Sequence, residues 1–252
     1  MGKDYVNQDG TLAFHNDGPI GTLTINRPRQ RNALNQGMWV TLREWIEDLP
    51  QDVELLIIQG SQHVFTAGSD IKEFVDLSLE QANNVFVTME STISALEQLA
   101  IPSIASIDGP VFGAGLVLAL ACDLRIGSDL GQFGVPVGRL GITLQPPFLR
   151  RLTQVLGFSR TKDLIYTGRT YTAEEALTNG ILNYLVPESR LPQETQRLAQ
   201  RILQQSPASL SAVKENIRLY LIGDLGVEPV GAWIGPDFSE RTRAFTKRHP
   251  PF

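Results

Sequence analysis

The stretch Ile107 to Asp123, I-D-G-P-V-F-G-A-G-L-V-L-A-L-A-C-D, constrains this chain more than any other. It begins at the end of an apolar run (Ile104, Ala105, Ile107), turns through Gly109, Pro110, Gly113 and Gly115, and continues as an unbroken apolar segment from Leu116 to Cys122. This punctuation reads as strand, glycine turn, buried helix. A helix that is apolar on every face belongs in the core, so its first turn is held there too, with N–H groups that lack intrahelical acceptors. Such donors suit negative charge. The turn carries no Lys-Ser/Thr pair for nucleotide phosphates, no serine of a G-x-S-x-G elbow and no group of metal ligands, so it offers backbone amides only. Two uses stay open on these residues alone. One is an oxyanion hole for a carbonyl that gains charge; the other is close packing of a core helix against a strand, where glycine lets backbones approach.

With 252 residues the chain suits one large α/β domain or two small ones, and a hydrophobic share of 42% beside 19% charged residues is that of a globular protein with a sizeable core. The net charge of -5, with 22 Lys and Arg scattered along the sequence, argues against a basic face for nucleic acid. The longest apolar segment, Val111 to Cys122, is too short to span a bilayer, and the N-terminus shows no apolar signal core. The expectation is a cytoplasmic protein without nucleic-acid or membrane partners. The single cysteine, Cys122, has no internal disulfide partner and reads as a small buried hydrophobe.

Taken in order, Leu12 to Phe14 and Ile20 to Ile25 flank a turn at Asn16-Asp17-Gly18-Pro19, a hairpin. The loop N-R-P-R-Q-R-N-A-L-N follows, with Arg27, Arg29 and Arg31 as a positive cluster that suits phosphates or plain solvation equally. Met38, Leu42, Trp45, Ile46 and Leu49 recur at helical spacing before Pro50, and Leu55 to Ile58 form a short buried strand ended by Gly60. A second small-residue turn, Thr66-Ala67-Gly68-Ser69, leads to Asp70, placed to cap a short helical stretch. Val85, Met89, Ile93, Leu96 and Leu99 mark a helix face stopped by Pro102. Beyond the central stretch, the pattern gives a strand at Leu124 to Ile126, a loop from Gln132 to Gly141 and helical runs over Pro147 to Leu156, Thr161 to Tyr166 and Thr172 to Asn179. It then gives a strand at Ile181 to Val186, a helix opened by Ser206-Pro207 through Ile222, a Gly/Pro-rich break over 223–236 and a final helix near Phe238 to Lys247. Two strand, small-residue turn, helix units centred on Ser69 and Ala114 echo each other; stacked ββα units would bring those turns side by side.

In these residues the chain resembles the crotonase superfamily, the enoyl-CoA hydratase and isomerase family. The resemblance is carried by N-R-P-x-x-x-N-A-L-N (Asn26 to Asn35), F-T-A-G-S-D-I-K-E-F (Phe65 to Phe74), I-A-S-I-D-G-P-V-F-G-A-G, A-C-D-L-R-I (Ala121 to Ile126), F-G-V-P (Phe133 to Pro136), T-G-R-x-x-x-A-E-E-A-L-x-x-G-I-L-N (Thr167 to Asn183) and the tail A-F-T-K-R-H-P-P-F. It implies an α/β fold: one structural unit with a spiral of repeated ββα units over residues 1–200 and a helical C-terminal region over 201–252 that assembles trimers, often as a dimer of trimers. It further implies an acyl-CoA substrate, with coenzyme A as part of that substrate and no separate cofactor or metal. Its thioester oxygen would be held by the amides of Ser69 and Ala114. By the same resemblance Ala33, Leu34, Ala67, Gly68, Asp70, Ile71, Lys72 and Gly113 line the ligand channel, with Arg27 and Lys247 as looser candidates for the phosphates.

The chain departs from the family where hydratases carry two glutamates that act on water and the α-carbon. Those positions are Val117 and Val137 here, and valine neither takes nor gives a proton, so syn-hydration by a glutamate pair is not expected. Three accounts follow. The first is an acyl-CoA enzyme that keeps the enolate site and obtains its proton chemistry elsewhere, with Gln145 foremost and Thr143, Arg139, Glu73, Glu90 and His63 as further candidates; decarboxylation needs an electron sink more than a base, and an apolar wall of Val117 and Val137 disfavours a bound carboxylate while the hole favours the enolate. The second is a hydratase or isomerase with a relocated acid/base. The third is a CoA-binding homologue without turnover.

Overall fold

The computed structural model describes residues 4–221, 223 and 234–248. The chain begins with β1 (Tyr5–Val6) and the hairpin β2 (Leu12–Asp17) and β3 (Ile20–Ile25), then α1 (Gln36–Glu47) and β4 (Leu55–Gly60). Next come α2 (Leu79–Glu97), β5 (Ser103–Ile107), β6 (Pro110–Phe112), α3 (Ala114–Ala121), β7 (Leu124–Ser128) and β8 (Gln132–Gly134). The remainder is α4 (Pro146–Thr167), β9 (Thr170–Thr172), α5 (Ala173–Thr178), β10 (Tyr184–Val186), α6 (Leu191–Leu203), α7 (Pro207–Leu221) and α8 (Phe238–Arg248).

Seven strands form the main sheet in the order β1-β2-β3-β4-β5-β7-β10, antiparallel only at the hairpin end and parallel from β3 onward. Parallel neighbours need a crossover, and α1, α2 and the β6–α3 segment supply them between β3, β4, β5 and β7. A sheet of this kind is covered on both faces, which is why β4 reads as an unbroken apolar run with Leu55 to Ile58 all buried. Because side chains alternate, Leu56 and Ile58 join the main core around α3, whereas Leu55 and Ile57 join a second cluster with Leu191, Leu198 and Ala199 of α6. Helix α3 is buried along its length except at its first residue, as its all-apolar sequence requires.

Local chemistry fixes the boundaries. Ser78 caps α2 and Gln81 returns the bond to its backbone; Thr172 and Glu175 do the same for α5. Asp70 accepts from the amide of Lys72 and caps a single 3-10 turn, Ile71–Phe74, as its position suggested. Ser206 opens α7 by accepting from the amide of Ser209.

Several elements differ from the sequence expectation. The Gly109 to Gly113 turn contains β6, and the segment read as a loop from Gln132 contains β8 and a 3-10 turn, Val137–Leu140; with β9 they form a second, three-stranded sheet. Strands of three residues are too short for alternation to show. The two helical runs after Pro147 are present as expected within α4, two helices that meet at Gly157, whose φ of 69° and ψ of 169° are not helical. The strand expected over Ile181 to Val186 is confined to Tyr184–Val186, and α6 lies where no helix was expected. Residues 224–233 of the Gly/Pro-rich stretch, and Ile222 at the expected end of α7, lie outside the described residues. No helix among the described residues is long and apolar enough to cross a membrane.

Candidate active site

The loop 26–35 is moulded onto the loop 61–70 by buried Asn32. Its side-chain carbonyl accepts from the Arg27 amide at 2.7 Å, and its NH2 group donates to the carbonyls of Ser61 (2.9 Å) and Val64 (2.6 Å). Thr66 then donates its hydroxyl to the Asn32 carbonyl at 2.6 Å while accepting from the Gly68 amide at 3.0 Å. The Ala67 amide donates to the Arg31 carbonyl, Leu34 to Gly68, and Asp70 to Leu34. Every amide from 67 to 70 is thereby bonded within the protein except that of Ser69, which has no acceptor among the described residues.

The second turn is built the same way. Gly113 (φ 55°) donates to the Gly134 carbonyl and accepts from Leu116 and Val117, so α3 opens with an Ala114 amide that has no protein acceptor among the described residues. The two turns touch. A methyl on Gly68 would lie 2.7 Å from the Phe112 carbonyl oxygen and 3.0 Å from the Ala114 nitrogen, and one on Gly115 would lie 2.8 Å from the Thr66 carbonyl oxygen. Glycine at both positions is what lets the backbones approach, and the φ of 90° at Gly68 adds a conformation that other residues rarely take. Close packing, one of the two uses left open for these glycines, is what these backbone contacts show.

Ser69 and Ala114 border one chamber of about 140 Å3, together with Ala67, Ile71 and Gly113, and its walls include Val117 and Val137. Apart from the Ser69 hydroxyl, no side chain lining it can exchange a proton. That hydroxyl is engaged on both sides, accepting from Trp39 Nε1 at 3.1 Å and donating to Met89 Sδ at 3.1 Å. Trp39 is fully buried on α1, thirty residues away in sequence, and nothing in its local pattern marks the contact. The chamber adjoins an outer cleft of about 750 Å3 between α2 and the 140–145 segment, and the two share Ile71, Phe86, Leu140, Ile142, Leu144 and Phe148 in their linings.

The remaining sequence candidates divide. Gln145 is the N-cap of α4, its carbonyl accepting from Phe148 and Leu149, and it lines the outer cleft, as does Thr143; neither lines the inner chamber. Glu90 also borders the cleft, but Arg151 donates to both its carboxylate oxygens at 2.9 Å. Arg151, with a side chain 1% exposed, also holds Glu97 at 2.9 Å. Burial pushes the Arg151 pKa down and the two glutamates more than offset it, leaving the guanidinium charged. Glu73 accepts from the Gln36 amide, and exposed Arg139 lies beside Gly168. His63, with left-handed φ of 57°, pairs with Asp108 at 2.7 Å and Glu188 at 3.4 Å, and lines neither cavity. Arg27 donates to Asp70 at 2.6 Å and to the Ala33 carbonyl at 3.2 Å, so it ties the A-L-N and A-G-S-D segments together. Ala33 and Leu34 are buried, Lys72 is exposed beside the Asp70 cap, and Lys247 is exposed on α8. Burial pushes the Cys122 thiol up to about 12, a packed and unreactive group.

Fold and site together define a crotonase-type α/β protein: a parallel sheet beside a smaller one, with two small-residue turns meeting at an apolar chamber. The enoyl-CoA hydratase/isomerase family model matches residues 15–222, and the chain belongs to that family. It is 34% identical over 209 residues to a probable enoyl-CoA hydratase of Mycobacterium bovis, spanning 82% of this chain and 80% of that protein. Among solved structures it resembles an enoyl-CoA hydratase/carnithine racemase from Magnetospirillum magneticum, with a TM-score of 0.90, 28% identity and coverage of 99% of this chain and 96% of that one. It also resembles a protein of Thermobifida fusca YX, assigned as an enoyl-CoA hydratase and solved in complex with CoA, with a TM-score of 0.77, 27% identity and coverage of 94% and 90%.

Proposed function

We propose that the protein is an acyl-CoA enzyme in which the amides of Ser69 and Ala114 stabilise a thioester enolate, with no side-chain base at the reacting carbon. The observation that carries this reading is the pairing of two acceptor-free amides with a chamber walled by Val117 and Val137. Fixed donors aimed at an oxygen that gains charge lower the barrier by about 3 to 4 kcal/mol each in sites where they have been removed one at a time. Two such donors help only a reaction that sends electrons onto the thioester oxygen. Decarboxylation of an acyl-CoA bearing a carboxylate on its α-carbon meets the condition without a base. The bond from the α-carbon to the carboxylate breaks, its electron pair passes to the thioester oxygen, carbon dioxide leaves, and the α-carbon afterwards takes a proton from water. The apolar walls solvate the departing carboxylate poorly and the enolate is held by the amides.

Coenzyme A enters as part of the substrate, along the channel bordered by Ala33, Leu34, Asp70 and Lys72, with Arg27 and Lys247 as candidates for its phosphates; the family relatives named for enoyl-CoA chemistry and the CoA complex support this assignment. The test is a panel of saturated, 2,3-unsaturated and 2-carboxylated acyl-CoAs, followed by thermal stability and product analysis. Turnover of 2-carboxylated thioesters with slow or no hydration of crotonyl-CoA is the expected result. Hydration of crotonyl-CoA at an ordinary enzymatic rate contradicts the reading, and stabilisation across the panel without any product makes the protein a CoA-thioester binder.

A further inference from the structure

Building on the acyl-CoA assignment above, we infer that the acyl chain is a long hydrocarbon that runs from the inner chamber into the cleft between α2 and the 140–145 segment. The inner chamber, about 140 Å3, is filled by a short acyl group, since a dry apolar cavity of roughly 150 Å3 takes a benzene-sized molecule. A four-carbon acyl chain would end there. Beyond it the cleft of about 750 Å3 falls within the size range of ligand sites and would stay wet against Phe74, Phe86, Ile142 and Phe148. Among its lining residues Leu79 is 86% exposed, Val87 63% and Leu140 51%, apolar side chains that an acyl chain leaving the adjoining chamber would cover.

The polar groups of the cleft set the character of the far end of the chain. No Lys, Arg or His lines either cavity among the described residues, and the one charge present is Glu90. The cation that balances Glu90 is Arg151, whose side chain is almost wholly buried behind it and shared with Glu97. A chain ending in a second carboxylate would meet Glu90 with no cation free to pair with it, so the tail is uncharged.

Calorimetric titration of the whole protein with CoA and with butyryl-, octanoyl-, dodecanoyl- and suberyl-CoA tests this. Each methylene buried strengthens binding by up to about fourfold, so dodecanoyl-CoA is expected to bind at least about tenfold more tightly than butyryl-CoA even with incomplete burial. Suberyl-CoA, the octanoyl chain with a terminal carboxylate, is expected to bind more weakly than octanoyl-CoA. Equal affinity along the series overturns the inference while leaving the acyl-CoA assignment intact; binding of neither CoA nor any thioester overturns both. Tighter binding of suberyl-CoA overturns the uncharged tail. Val87→Asp, at an exposed site on α2, and Ala82→Trp, which places an indole in the cleft, should each reduce the ratio of dodecanoyl to butyryl affinity; a ratio unchanged in both variants would show that the chain lies elsewhere.

Discussion

Ser69 shows how a residue can be placed by bonds that its neighbours in sequence do not hint at. Its amide is bare because Leu34 pairs with the residues on either side of it, and its hydroxyl is held between Trp39 and Met89. Trp39→Phe keeps the ring and removes the donor. The expected result is a fall in kcat of about ten- to a hundredfold, as small misplacements of reacting groups produce, with KM changed far less and a stability loss of about 1 to 3 kcal/mol. Equal loss in both kinetic parameters, tracking the fraction unfolded, would make the contact purely structural. Gly68→Ala forces a methyl toward the Phe112 carbonyl at a φ of 90°. Activity should fall about a hundredfold or more while circular dichroism still reports a folded chain. Cys122 offers a probe of the core: with its thiol pushed up to about 12, folding favours the protonated form. That stabilisation is fully present below the ordinary thiol pKa and is lost as pH rises toward about 12, so a thiol reagent at pH 8 should label the unfolded protein and not the native one. At this scale the sequence displayed the small-residue turns, the Asp70 cap and the two valines, because each depends on residues close in the chain. The Trp39 bond and the Arg151 hold on Glu90 join residues far apart and leave no local trace.

At the scale of elements, α2, which lines the cleft, is tied to α4 by charge. Arg151 of α4 reaches Glu90 and Glu97 of α2, and Arg150 reaches Glu97 at 2.7 Å. Removing one partner of a buried pair typically costs about 3 to 5 kcal/mol, because the other charge is left without compensation. Arg151→Met should therefore lower the melting temperature markedly, by roughly 2 to 4 °C for each kcal/mol in a chain of this size; a shift of under a degree would show that the network contributes little. Helices with capping residues or a clear apolar face, such as α1 and α2, were legible, as was the buried α3. The strands β6, β8 and β9 were not, because three residues cannot display a period and their pairing lies between distant segments. Helix α6 escaped although Leu191, Thr195, Leu198 and Ala199 fall on one face; its existence follows from the apolar character of both faces of β4, which demands a cover on each side.

For the whole molecule, the parallel sheet and its covering helices bring two turns distant in sequence edge to edge beside an apolar chamber. The family implies trimers, and α7 leaves Val213, Ile217 and Tyr220 more than half exposed. Light scattering on the purified protein should give three or six times the 27.8 kDa chain mass, and a monomer at micromolar concentration would contradict that assembly. The central claim is tested most directly by a crystal structure with a non-hydrolysable acyl-CoA analogue bound. The thioester-equivalent oxygen should lie about 2.7 to 3.1 Å from the nitrogens of both Ser69 and Ala114, with the acyl chain against Val117 and Val137. An oxygen that meets neither amide, or a carboxylate or histidine within hydrogen-bond reach of the α-carbon, would contradict it.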